Sequence, residues 1–314
     1  MHPLLVLLIV ILCVLVFIVL PIAWVSYYIA FLGKRRLPKT PYDGLDSPMF
    51  ATFADNTRKG IDRLLREPYE TVEITSHDGL KLVGKYYHVK DGAPLQIQFH
   101  GYRGSAERDF SGGGCECLDR GHNLLLIHQR AHGISEGRSI TFGIKERLDC
   151  KSWVQYAVSR FGEDVKIILM GISMGAATVL MASDLDLPKN VKAIVADCPY
   201  SSPIDIITTV AGYMRLPGKL LSPFIRLGAF LFGGFALSNI TAERAVRGSS
   251  IKTLIIHGEQ DSFVPKEMSE VIAAARPDIK RVTFPGADHG GSYAVGKDKY
   301  VSLLNEFIDE ALAE

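Results

Sequence analysis

A chain of 314 residues with 47% hydrophobic and 22% charged side chains is long enough for one full α/β domain with an appendage, and too apolar to be disordered. Lysine and arginine number 35 against 34 aspartates and glutamates, so there is no basic field to gather nucleic acid, and that class of partner is excluded. The five cysteines, Cys13, Cys115, Cys117, Cys150 and Cys198, show neither zinc-doublet nor disulfide-framework spacing, which points to a reducing compartment.

The chain begins apolar. No charged residue occurs between Pro3 and Gly33, and a helix needs roughly 20 apolar residues to cross the hydrocarbon core. Trp24, Tyr27 and Tyr28 stand near the end of this run, where an interfacial aromatic belt sits. A cleaved signal peptide would show a basic leading region, a shorter apolar core and a small-residue cleavage site; here only His2 precedes a much longer run. Residues 1–33 are therefore expected to form a transmembrane anchor, with Pro21 kinking the helix or marking where it meets the interface. Lys34, Arg35, Arg36 and Lys39 follow, and the positive-inside rule then puts the remainder of the chain on the cytoplasmic side of the cell membrane.

Residues 34–68 read as a linker and an amphipathic helix. Pro, Gly and Asp break up positions 37–48. Met49, Phe50, Phe53, Ile61, Leu64 and Leu65 then make an apolar face over 49–66, fit to dock on the following domain or to lie on the bilayer.

From residue 69 onward, short β-like runs alternate with helical stretches, the signature of a mostly parallel sheet with helices on both faces. A hairpin is expected over 70–76 and 80–88, turning at His77-Asp78-Gly79. Buried strands are expected at 95–100, 123–128, 166–171, 193–198, 253–258 and 281–286, with helices near 144–161, 174–184, 265–275 and 297–312. Residues 201–248 separate two of these strands by far more than a usual connection. They read as an inserted cap, a lid over an apolar pocket, because Lys219, Arg226 and the glycines at 233 and 234 interrupt any second span.

Gly171-Ile172-Ser173-Met174-Gly175 lies directly between an apolar strand and a helical segment. A sharp turn there forces the serine into strained dihedrals and presents its hydroxyl above the sheet, at a helix N-terminus that favours developing negative charge. A serine hydroxyl needs a base, and the base needs a carboxylate to fix its tautomer. Asp261 follows the strand at 253–258 and His289 follows the strand at 281–286, so Ser173, Asp261 and His289 occur in the order this architecture uses. Asp288 and Glu259 are rival acids. Two backbone amides are candidates for an oxyanion hole, that of Met174 after the nucleophile and that of Tyr102 in His100-Gly101-Tyr102-Arg103-Gly104. The Tyr102 ring reads equally as a pocket wall or as a packed aromatic. In the loop 128–137, His128 and His132 lack further ligands at zinc spacing, and Arg130 and His132 are expected to brace the neighbouring loops by hydrogen bonds. Neither a dinucleotide fingerprint nor a phosphate-loop lysine follows a strand, so no cofactor and no metal are expected.

The segments His100-Gly101-Tyr102, Gly171 to Gly175 and His257-Gly258-Glu259-Gln260-Asp261-Ser262-Phe263-Val264-Pro265 resemble the oxyanion segment, nucleophile elbow and acid loop of the α/β-hydrolase superfamily. Within it, the chain resembles the serine aminopeptidase-like and monoacylglycerol lipase-like hydrolases found as membrane-anchored bacterial proteins. The resemblance covers about residues 69 to 312. It departs at His128 and Ala131, where that group commonly carries Asp and Gly. The resemblance implies an α/β-hydrolase fold and an esterase, lipase, thioesterase or peptidase. Together with the residues, it leads to the expectation of a serine hydrolase acting on carboxylic ester or thioester bonds of acyl or lipid-like substrates. A peptidase, with Arg215, Lys219, Arg226 and Glu243 as candidate recognition charges, and a non-catalytic membrane scaffold are the alternatives.

Overall fold

The structure is a computed structural model that describes residues 2–33, 38–47, 53–237 and 240–313. Lys34, Arg35, Arg36, Met49 and Phe50 lie outside the described residues.

The apolar start is one continuous helix, α1 (Pro3–Ala30). Pro21 does not break it. A proline within a helix lacks its N–H and crowds the carbonyl four residues earlier, and here the turn just before it widens to a π-helix over Leu15–Val19, with the Leu20 amide donating to the Leu15 carbonyl. The first two thirds of α1 are exposed, whereas Ala23, Tyr27 and Phe31 are fully buried. The amphipathic helix starts later than its pattern predicts, as α2 (Ala54–Arg66), and buries Thr57, Ile61 and Leu64 against the domain.

The core of the domain is an eight-stranded sheet in the order β1-β2-β4-β3-β5-β6-β7-β8. The strands are β1 (Glu70–Thr75), β2 (Lys81–Tyr87), β3 (Leu95–Phe99), β4 (Asn123–His128), β5 (Ile167–Ile172), β6 (Val191–Asp197), β7 (Lys252–Gly258) and β8 (Lys280–Phe284). The first two pairings are antiparallel and the rest parallel. The strands β3 to β7 are near-continuous apolar runs because helices cover both faces. On one face Ile97, Leu125, Leu169 and Ile255 belong to the same buried cluster as Trp153 and Val154, and on the other Leu124, Leu126, Ile168, Val195 and Leu254 belong to that of Tyr300, Leu304 and Phe307.

The covering helices include the short α3 (Ala106–Asp109) and α4 (Gly113–Asp119), which the sequence pattern did not reveal, then α5 (Glu146–Phe161) and α6 (Met174–Ala182). Between β6 and β7 the insertion folds as three helices, α7 (Pro203–Tyr213), α8 (Gly218–Gly233) and α9 (Ala242–Arg247). After β7 come α10 (Glu267–Ala274), α11 (Ser292–Val295) and α12 (Lys297–Leu312).

The insertion is tied to α1. Gly228 on α8 has no room for a side chain, since a Cβ there would stand 2.3 Å from the Ala23 carbonyl oxygen. Close approach of this kind is what small residues permit between helices. Around it, Phe232 packs edge-on to Trp24 at 5.0 Å between ring centroids, and Phe235 edge-on to Phe31 at 5.3 Å. The backbone just after α1 also joins the domain, with the Gly33 amide donating to the Arg138 carbonyl and the Ile140 amide to that of Phe31.

Candidate active site

Three strand ends meet at the C-terminal edge of the sheet. At the end of β5, Ser173 has φ 54° and ψ −113°, a conformation that costs of order 1–3 kcal/mol outside glycine and persists only where its surroundings enforce it. Its neighbours explain the enforcement. A Cβ on Gly175 would stand 1.7 Å from the Phe99 carbonyl oxygen, and one on Gly171 would stand 2.3 Å from the backbone of Gly175. Only glycines let strand, turn and helix close this tightly, and the Ser173 amide is held in turn by the Asp197 carbonyl at 2.8 Å.

The Ser173 hydroxyl lies 2.9 Å from His289 Nε2, and His289 Nδ1 lies 2.8 Å from Asp261 Oδ2. With Nδ1–H donating to the carboxylate, Nε2 is left to accept the serine proton. The acid loop holds Asp261 from behind: the Phe263 and Val264 amides donate to its Oδ1 at 2.9 and 2.7 Å, and His257 Nε2 lies 3.2 Å from Oδ2. Burial pushes this carboxyl up, but hydrogen bonds from His257 and His289 outweigh it and leave the pKa well below the usual carboxylate range. The rivals face elsewhere. Asp288 accepts from Ser262 and from the His289 amide, and Glu259 accepts from Thr283.

Of the two expected oxyanion donors, Met174 is the first residue of α6, so its amide has no acceptor within the helix. Gly101 is drawn under the site by a hydrogen bond from its amide to Asp109 at 2.8 Å. The Tyr102 ring packs against Phe142 and its hydroxyl donates to the Ala30 carbonyl at 2.8 Å. The side chain thus faces α1, although the residue also borders the cavity.

The loop 128–137 acts as a brace. His132 Nε2 accepts from the Arg103 amide at 3.0 Å, while His132 Nδ1 bonds the Arg130 carbonyl. The buried guanidinium of Arg130 forks onto Asp149 and Asp78. His100 is fully buried, with a pKa lowered to about 3 by burial, and accepts from the Gln129 amide. Ala131 has φ 62°, the left-handed region that favours glycine, which accounts for the glycine found there in the group the sequence resembles.

A cavity of about 560 Å³ opens onto Ser173 and His289. Its walls corrected one expectation. Phe53, Asn56, Lys59 and Arg63 of the α2 region border it, while none of the described residues in 201–248 does. The insertion packs on α1, and α2 forms part of the cavity wall. Deep in the cavity, Asp197 accepts from the Tyr300 hydroxyl at 2.9 Å, its other oxygen has no hydrogen-bond partner among the described residues, and burial raises its pKa to about 6. The residue was invisible to sequence reasoning because an Asp closing an apolar strand looks like any strand-end polar residue.

With this topology and site geometry, the chain has the α/β-hydrolase fold. A family model described as the alpha/beta hydrolase fold matches residues 97–240. The Pyrococcus furiosus esterase Pf2001 is similar in structure, with a TM-score of 0.63 and 26% identity over 79% of this chain and 94% of that one. In sequence the chain is 25% identical to YqkD of Bacillus subtilis over 61% of its own length and 64% of YqkD, a little under two thirds of that protein. It is 31% identical to the thiohydrolase aneE of Aspergillus aculeatus over 42% of each chain.

Proposed function

We propose that the protein is a membrane-anchored serine hydrolase that cleaves carboxylic ester or thioester bonds of acyl or lipid-like substrates through an acyl-enzyme on Ser173. The observation that carries this reading is the unbroken relay from Ser173 Oγ through His289 to Asp261, at 2.9 and 2.8 Å, beside the N-terminus of α6. His289 Nε2 takes the hydroxyl proton as Oγ bonds to the substrate carbonyl carbon. The oxyanion that forms is met by the backbone amides of Met174 and Tyr102. His289 then returns the proton to the departing alcohol or thiol, and the ester on Ser173 remains. A water molecule, deprotonated by the same imidazole, attacks that ester; the carboxylic acid leaves and the proton goes back to Oγ. Asp261 stays ionised throughout and stabilises the imidazolium. No metal or cofactor takes part.

The division into an anchor at 1–33, a linker with helix at 34–68 and a hydrolase domain at 69–314 with its insertion at 201–248 belongs to the same proposal. Its support at the N-terminus is physical. A signal peptide leaves the mature protein, yet the fully buried Tyr27 and Phe31 are part of the packed domain, and burying one Phe is worth about 2 kcal/mol. The basic residues after the span favour a cytoplasmic domain. The esterase and thiohydrolase relatives favour the ester and thioester classes over the peptide bond.

The test of substrate class is a p-nitrophenyl ester series from short to long acyl chains, run beside thioester and amide analogues. The reading requires hydrolysis that rises with chain length and favours oxygen or sulfur esters. A flat series or a preference for amides would overturn it.

A further inference from the structure

We propose that the hairpin of α7 and α8 is a second lipid contact, seated in the headgroup and upper acyl region of the leaflet that α1 leaves as it enters the domain. The inference rests on the reading of α1 as a membrane span and adds a surface that this reading does not contain.

The first support is direction. Going up α1, Ala23 meets Gly228, Trp24 and Tyr27 meet Phe232, and Phe31 meets Phe235. The numbers rise together, so α1 and α8 run the same way. The start of α8 and the turn joining it to α7 therefore lie toward the lipid-exposed part of α1, away from the sheet. The close approach at Gly228 holds α8 in this attitude.

The second support is position along the membrane normal. The 20 residues from Pro3 to Ile22 rise about 30 Å as a helix, the thickness of the hydrocarbon core. Trp24, which is part-exposed, then falls at the interface where Trp is enriched. From Gly228, level with Ala23, back to Gly218 is a further ~15 Å along α8, enough to carry the turn into the near leaflet. Neither helix is long enough to cross, at 11 and 16 residues, so the hairpin lies in one leaflet and does not span.

The third support is surface chemistry. The turn exposes Tyr213, Met214 and Leu216, and α8 exposes Leu220 at 71% and Phe230 at 63%. Large exposed apolar side chains gathered on one hairpin mark an interaction site, and the hairpin packs through α8 on α1. The charged residues between Pro203 and Gly233 are Arg215, Lys219, Arg226 and Asp205, and Asp205 sits in the first turn of α7, at the base next to the domain. Arg226 donates to the Leu237 carbonyl, while Arg215 and Lys219, exposed cations among apolar side chains, suit an anionic leaflet, with their long side chains reaching back to phosphate.

The test uses the full chain in vesicles of phosphatidylcholine and phosphatidylglycerol, with and without lipids that carry a nitroxide quencher on the acyl chain. Cys13, in α1, is the exposed cysteine among the described residues, and an NBD fluorophore on it reports the span. In a Cys13→Ser background, NBD is placed on Leu220→Cys, an exposed site whose change leaves the core intact, and on Lys189→Cys, an exposed position before β6. The expected result is loss of most emission at Cys13 and Leu220→Cys, with little loss at Lys189→Cys. Quenching at Cys13 with none at Leu220→Cys overturns the hairpin proposal and leaves the anchor standing; a second copy covering the hairpin gives this same outcome. Absence of quenching at Cys13 removes the anchor reading and the proposal with it.

Discussion

The hydroxyl of Tyr102 donates a hydrogen bond to the carbonyl of Ala30, 2.8 Å away and 72 residues earlier in the chain. It links the last turn of the apolar helix to the segment whose amide is a candidate oxyanion donor. The neighbouring Arg103 guanidinium adds bonds to the carbonyls of Ile29 and Leu32. Carbonyls at a helix C-terminus have no partner within the helix, so the end of α1 is completed by the loop it supports. Tyr102→Phe removes about 1 kcal/mol of this restraint. The expected outcome is a several-fold fall in kcat with KM little changed, read from steady-state hydrolysis of a short p-nitrophenyl ester.

The two parts of α1 are expected to behave differently on truncation. Removing residues 2–18 takes away exposed apolar turns and leaves Ala23, Tyr27 and Phe31 in place; the shortened protein should melt close to the full chain in detergent. Removing residues 2–33 uncovers Phe142 and Phe235 and strips the partners of Tyr102 and Arg103, with a loss of several kcal/mol, since each large buried side chain contributes about 2 kcal/mol. Thermal denaturation followed by circular dichroism distinguishes the two. Equal melting of both truncations would mean that the helix end contributes nothing.

Asp261 and Asp288 are separable by substitution. Asp261→Asn leaves the loop amides paired but disturbs the tautomer and charge that His289 needs, and an equivalent change in the serine-protease relay costs about 10⁴ in kcat. Asp288→Asn keeps an oxygen to accept from the Ser262 and His289 amides, gives up only the contact of the Ser262 hydroxyl with Oδ2, and should cost far less. Parallel kcat measurements decide it, and a larger loss in Asp288→Asn than in Asp261→Asn would move the role of the acid to Asp288.

Asp197 gives a pH signature in stability. Its pKa is raised by burial to about 6, against about 3.9 in an unfolded chain. The native state therefore binds the proton more tightly than the unfolded state does. This contribution to stability is fully present below pH 4 and is lost as pH rises through about 6. Asp197→Asn cannot ionise, so the variant should lose less stability than the native chain between pH 5 and pH 8. Melting temperatures across that range provide the comparison.

Much of the core was legible because a parallel sheet covered on both faces needs continuous apolar strands, and the runs at 95–99, 123–128 and 167–172 have that composition with turn residues at their ends. The candidate triad could be picked out for a related reason: Ser173 follows such a strand between the glycines at 171 and 175, and Asp261 and His289 each stand on the loop after a later strand of the sheet. The partner of α1 was not legible. Trp24, Tyr27, Phe31 and Phe232 satisfy a bilayer and a protein interior equally well, so composition cannot tell which one covers them. The wall of the cavity was missed for the opposite reason. The pattern of α2 shows an apolar face that must be buried, but which of its polar residues then border the site, such as Asn56 and Lys59, depends on a docking angle that local sequence does not encode.

The central claim is that Ser173 is the nucleophile. Labelling of the purified full chain with a fluorophosphonate probe, followed by peptide mass spectrometry, tests it most directly. The expected result is stoichiometric modification of Ser173, abolished in Ser173→Ala and strongly slowed in His289→Ala. Absence of labelling in the native chain, or equal labelling of Ser173→Ala, would contradict it.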